Sequence, residues 1–246
     1  MRRSSPVACG ACRLDRPVVV FDAAGTLFSQ RGLAGRMRAL AARAGYPIPS
    51  AQLASVMERL DTLPVWPEDS HDHAERLQRW AVFFQRAYAL AGVSDAAARD
   101  GCAMAAAEYV ADAANYELLP DVTATLTALS AHGHRMAVAS NFDYLLDGIL
   151  AHLGLTRYFE AVIKSVDLGV YKPEREFYEA MLRIVGVPAS LVLFVGDSPR
   201  SDVLGPRAAG MESLLVDRTD RHGALGLPTV RALTDLVVSP AGSDPC

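Results

Sequence analysis

Apolar positions repeat with two different periods along this chain, and the change of period divides it. Val18-Val19-Val20-Phe21 is an unbroken run of β-formers ending at Asp22, just before a Gly25-Thr26 break. Such a run reads as a strand of a parallel sheet buried on both faces. After Thr26-Leu27-Phe28 the pattern becomes helical until about Asn115. Leu33, Met37 and Leu40 share one face of a first helix that ends near Gly45, before Pro47 and Pro49. Ser50 is placed to cap a second helix carrying Leu53, Val56, Met57 and Leu60. A loop with Pro64, Trp66 and Pro67 precedes a long helix over 73–90, where Leu77, Trp80, Phe83, Phe84 and Tyr88 recur at helical spacing. That stripe reads as helical core rather than a substrate surface. A fourth helix over 95–114 carries Met104, Tyr109 and Val110, and no strand is expected in this block.

From Leu118 onward helix and strand alternate. The pattern predicts helices over 122–132, 144–153, 174–185 and 202–209, and strands over 135–139, 161–165, 191–195 and 212–216. A short helix over 230–236 closes the series. Alternation of this kind predicts a doubly wound, Rossmann-like α/β core with right-handed crossovers. The α-helical block is then an insertion after the first strand. The expected division is a flexible tail over 1–16, a core over 17–30 and 116–236, a helical insert over 31–115, and a second tail over 237–246.

Composition narrows the partners. The chain has 246 residues, 51% hydrophobic and 21% charged, with a net charge of -4. That is ordinary for a globular protein and argues against nucleic acid or an anionic membrane as partner. No apolar run approaches the roughly 20 residues that cross a bilayer. The Arg2-Arg3 start lacks a long apolar segment, so no secretory signal is read, and four cysteines do not make a disulfide scaffold. A cytoplasmic setting is expected. Cys9 and Cys12 form a lone CxxC in the tail, read as chance spacing rather than a zinc or redox site. His71 and His73 are read as solvated.

Four strand ends carry polar groups that can converge, because open α/β sheets bind ligands beyond the carboxyl ends of their strands. Asp22 ends the first strand, Ser140-Asn141 the second, Lys172 follows the third, and Asp197 with Asp202 follows the fourth. Taken singly, Asp22, Ser140-Asn141, Asp197-Ser198 and Asp202 could each be turn or helix caps, and Lys172 a solvated loop residue. Rarity favours Lys172: Lys164 and Lys172 are the only lysines among 24 basic residues.

The ordered set of segments 22–27, Ser140-Asn141, Lys172-Pro173 and 196–202 resembles the haloacid dehalogenase superfamily, over roughly residues 17–236. The resemblance implies that the helical insert is a cap. It also implies an aspartate nucleophile, Asp22, that forms an aspartyl ester later cleaved by water. Gly25 and Thr26 would bring backbone N–H groups and a hydroxyl to the oxyanion, and Ser140 and Asn141 would donate to the same group. Lys172 would neutralise charge on the nucleophile. Asp197, Asp22 and the backbone carbonyl of Ala24 would hold Mg²⁺, with Asp202 as direct or supporting ligand.

Ala24 departs from the phosphatase pattern, which has a second aspartate there as proton carrier. That help is worth roughly 10²–10⁴-fold in rate. Its absence leaves three readings open. The first is a Mg²⁺-dependent phosphohydrolase acting on a small substrate with a good leaving group. The second is a metal-free 2-haloacid dehalogenase, whose halide needs no proton and whose cap arginine would be Arg31, Arg36, Arg38 or Arg43. The third is a degenerate protein that binds a phosphorylated ligand or a partner protein. A phosphonate-cleaving route would need a cap lysine, and 28–118 contains none.

Overall fold

Every position of the first strand is apolar because helices cover both faces of the sheet it enters. In the computed structural model, which describes residues 18–61 and 72–237, this strand is β1 (Val18–Phe21). Val19 and Phe21 pack into one core cluster and Val18 and Val20 into another on the opposite face, as the two-residue period of a strand requires. The first cluster is closed by α5 (Val122–Ala131) and α6 (Leu145–His152). The second is closed by α8 (Arg175–Val185), after the short α7 (Ser165–Leu168).

Strands β4 (Arg135–Ser140), β5 (Ala161–Lys164), β6 (Val192–Gly196), β7 (Glu212–Val216) and β8 (Thr229–Val230) join β1 in a parallel sheet of order β5-β4-β1-β6-β7-β8. Phe21 sits level with Val138 of β4 and Val195 of β6. The residues leaving β1, β4 and β6 therefore emerge side by side. The doubly wound α/β reading is correct.

The helical insert has a core of its own. Helices α1 (Leu33–Arg43), α2 (Ser50–Asp61), α3 (His73–Leu90) and α4 (Ala96–Val110) bury Met37, Leu53, Val56, Phe83, Phe84 and Tyr88 in one cluster. The aromatic stripe of α3 is core, as expected, with Trp80, Phe83 and Phe84 in mutual ring contact. Asp72 and Asp95 cap α3 and α4 by accepting from Glu75 N and Ala98 N at 2.8 and 2.7 Å.

Several expectations need correction. Two short strands, β2 (Phe28–Gln30) and β3 (Tyr116–Leu118), pair antiparallel where the chain leaves and re-enters the sheet domain. No strand was expected there. Ser50 is the first residue of α2 rather than its cap, since Leu53 N donates to Pro49 O at 3.1 Å. Helix α4 stops at Val110, and Met104 is exposed; Cys102, Ala103, Ala106 and Ala107 face the core instead. The helix expected over 202–209 is a π-helical turn, Pro199–Leu204, followed by α9 (Gly205–Ala208). Pro206 has no N–H to donate back to Asp202, so a regular α ladder cannot run through it. The closing helix is replaced by β8 and a 3₁₀ turn, Leu233–Leu236.

The expectations for the tails, Cys9, Cys12, Pro64, Trp66, Pro67 and His71 fall outside the described residues, as does the Leu60 side chain. No described helix is long and apolar enough to cross a membrane.

Candidate active site

The register of the three central strands brings acidic and basic groups to one edge. Asp22 leaves β1 tied to the sheet by its own N–H, which donates to Val195 O at 2.9 Å. Lys172 reaches back from the loop between α7 and α8, with its side chain only 3% exposed. Its Nζ lies 2.6 Å from Asp22 Oδ1 and 2.7 Å from Asp202 Oδ1, and 5.2 Å from the centre of the Phe194 ring. Lys172 is therefore not a solvated loop residue.

The lysine is held by its own main chain. Asn141 Nδ2 donates to Lys172 O at 2.9 Å, and Asn141 Oδ1 accepts from Lys172 N at 2.8 Å. This reciprocal pair fixes the backbone from which the ammonium extends, so Asn141 acts first as a brace. Asp202 is fixed as well, since its Oδ2 accepts from Ser198 N at 2.9 Å.

Asp197 joins the group from the end of β6. Carboxylate oxygens of Asp22, Asp197 and Asp202 lie within 4.8 Å of one another. Two glycines make this crowding possible. A Cβ on Gly25, whose φ is +81°, would stand 2.0 Å from Asp197 Oδ2, and one on Gly196 would stand 2.3 Å from Asp202 Cγ. Both contacts are shorter than any tolerated packing distance, and the first backbone conformation is also one that side chains disfavour.

Electrostatics follow from the count: three carboxylates face one ammonium. Burial and the charges of Asp22 and Asp202 push the Asp197 carboxyl up to about 8. Burial and Asp22 also raise Asp202, to about 6, although Lys172 opposes the change. Burial disfavours the Lys172 ammonium, yet Asp202 and Asp22 outweigh it and raise its pKa. The site is short of positive charge, and hard oxygen donors at this spacing suit a small divalent cation.

The remaining expected residues are near but differently engaged. Ser140 ends β4, buried to 3% exposure. Thr26 is fully buried, and its hydroxyl has no partner among the described residues. The expected backbone donation by Gly25 and Thr26 needs correction. Gly25 N–H donates to Phe28 O at 2.8 Å and Thr26 N–H to Ala23 O at 3.3 Å, so both already have partners within the turn. Ala24 is half-buried against the sheet core. Among the described residues, none of the four arginines considered for a dehalogenase role pairs with Asp22, Asn141 or Lys172, and three have partners of their own. Arg31 pairs with Glu117, Arg36 stacks on Tyr109, Arg38 donates to Ile48 O, and Arg43 is exposed.

Two braces escaped the sequence reading. Arg218 donates to Thr26 O at 3.2 Å and to Asp121 at 2.8 Å, holding the turn after Asp22. Arg76 of α3 forms a buried ion pair with Asp143, two residues beyond Asn141. A signal for Arg76 was present, since it falls in phase with Trp80, Phe83 and Phe84 on the apolar stripe. His73 is exposed, as expected, and its Nδ1 lies 2.7 Å from the Tyr144 hydroxyl.

Comparisons with known proteins agree with this layout. The family model described as haloacid dehalogenase-like hydrolase matches residues 17–210. Haloacid dehalogenase-like hydrolase domain-containing protein 3 of Danio rerio is 33% identical over 163 residues, covering 66% of this chain and 67% of that protein. A phosphoserine phosphatase of Thermus thermophilus is 29% identical over 175 residues, covering 70% and 68%. The solved L-2-haloacid dehalogenase of Xanthobacter autotrophicus shares the fold with a TM-score of 0.62 at 23% identity, over 90% of this chain and 97% of that one.

Proposed function

This chain belongs to the haloacid dehalogenase-like hydrolases, and on that footing we propose that it is a Mg²⁺-dependent phosphohydrolase working through Asp22. One observation carries the reading: Asp22, Asp197 and Asp202 converge with Lys172 as the one ammonium paired with them among the described residues. A halide-releasing site has no need of that surplus of negative charge. Asp22, Asp197 and the Ala24 carbonyl would hold the ion, with Asp202 in support. When bound, Mg²⁺ would supply positive charge to the phosphoryl oxygens.

The chain's own groups account for the rest. Lys172 holds Asp22 by one oxygen, which orients the other for in-line attack on phosphorus. The P–O bond to the leaving group breaks as the aspartyl phosphate forms, and water then returns the carboxylate. Ser140 donates to the phosphoryl group from the adjacent strand end. The helices α1–α4 serve as a cap that shields a small substrate from water. Ala24 provides no proton, so the leaving group must depart as a stable anion, as acyl and aryl phosphates allow.

Ala24 also suits a haloacid substrate, which makes dehalogenation the second reading. A panel of phosphate esters and 2-haloacids, each with Mg²⁺ and with chelator, separates the two. The proposal expects phosphate release that chelation abolishes. Halide release that survives chelation overturns it in favour of dehalogenation. Turnover of neither class supports a binding protein instead.

A further inference from the structure

The first turn of α3 is tied to the loop that follows β4 by two side chains. Arg76 is 2% exposed, and its Nε donates to Asp143 Oδ2, on a side chain almost as buried. Its Nη2 reaches Val110 O at the end of α4, at 3.3 Å. The Tyr116 hydroxyl of β3 donates to the same carbonyl at 3.0 Å. One turn earlier on α3, His73 meets Tyr144, the neighbour of Asp143. A single guanidinium thus joins two helices of the insert to a loop of the sheet domain.

That loop is the one that sets the lysine. Asp143 Oδ1 accepts from Leu145 N at 3.0 Å, fixing the start of α6, and Phe142 N–H donates to Ser165 Oγ at 3.1 Å. Asn141 grips both polar groups of the Lys172 main chain. The connection runs without a gap: Arg76 to Asp143, along the chain to Asn141, across to Lys172, and on to Asp22.

We propose that Arg76 is a positioning residue that sets the placement of Lys172 through Asp143 and Asn141. This inference rests on the reading of Asp22 and Lys172 as the reaction centre. A buried ion pair is a poor source of stability, because removing two charges from water offsets their attraction. It is a good source of geometry, because only one orientation satisfies both partners. Arginine suits the task where lysine does not: its fork reaches Asp143 and Val110 O together, whereas a single ammonium on a flexible stem cannot hold both.

Two single variants and one double variant test this in the full chain. Asp143→Asn keeps an oxygen for Leu145 N–H but loses the charge facing Arg76; Arg76→Lys keeps the charge but loses the fork. Arg76→Met with Asp143→Leu removes both charges together. For each, kcat and KM on an aryl phosphate with Mg²⁺ are measured beside hydrogen exchange at the Lys172 amide. The expected result is a fall of roughly 10–100-fold in kcat with KM little changed. Exchange at Lys172 should quicken about tenfold while the amides of β1 stay protected. Folded variants with wild-type kcat and a protected Lys172 amide overturn the inference. Should the single variants fail to fold, the double variant decides by the same readouts. Faster Lys172 exchange in variants of a wild type that turns over no phosphate or haloacid supports the coupling while overturning the proposed chemistry, so the two failures separate.

Discussion

Two buried charge clusters are joined through the loop that follows β4, and they are composed differently. Around Arg76 one guanidinium meets one carboxylate, so the charges balance, although Nη1 has no hydrogen-bond partner among the described residues. Around Lys172 one ammonium meets three carboxylates, and burial together with that surplus raises Asp197 and Asp202 above the ordinary carboxylate range. Burial is common to both, so burial does not mark the reactive site. Imbalance does. A balanced pair fixes shape, whereas an unbalanced one must draw in a proton or a cation, and that demand is what ligand binding can use.

The comparison is easiest to break at the proposed nucleophile. Asp22→Asn should lower turnover by roughly 10⁴-fold or more, about 5 kcal/mol of barrier, while leaving substrate affinity largely intact. Steady-state kinetics with Mg²⁺ check this, and a variant with near wild-type turnover removes Asp22 from the chemistry. Next in size is the balanced pair. Arg76→Met leaves the Asp143 carboxylate buried without a counter-charge and should lower stability by about 3–5 kcal/mol in a denaturant titration. The unbalanced cluster should respond in the opposite direction: Asp197→Asn should raise the melting temperature of chelator-treated protein.

A smaller gain tests the missing proton carrier. Ala24→Asp should speed hydrolysis of an alkyl phosphate by about tenfold or more in Mg²⁺, as acid–base assistance predicts. The smallest effect is in the pH dependence of stability. Carboxyl groups with raised pKa bind protons more tightly in the folded chain than in the unfolded one. Without metal, stability should therefore fall as pH climbs from about 4 toward 8, through the values for Asp202 and Asp197. Mg²⁺ should flatten that slope, because it favours the ionised forms. Melting curves across this range, with and without Mg²⁺, give the answer.

Legibility in the sequence followed the length and purity of each signal. The apolar runs of β1, β4 and β6 and the long stripe of α3 stood out because each repeats one period over several residues. Each central strand also ends in a polar group, which pointed to Asp22, Asn141 and Asp197 before any distance was known. Strands β2 and β3 were hidden because each has three residues and includes polar Ser29, Gln30 or Glu117. Helix α4 misled because its buried face is mostly alanine, which lets α3 approach closely, while Met104 points out. Arg76 was missed for a related reason. A charged residue on an apolar stripe reads as an interruption until its partner is seen, and Asp143 lies 67 residues away.

Gly25 and Gly196 give the site an unusual point of control. At each, a single methyl would collide with a carboxylate of the acidic cluster rather than with the apolar interior. At Gly196 the smallest possible enlargement would thus dislodge Asp202 while the hydrophobic layers on both sides of the sheet kept their fit, whereas at Gly25 it would also strain the turn. A chain altered at Gly196 is a blank of the same outline, suited to subtracting non-specific binding from any ligand the parent takes up.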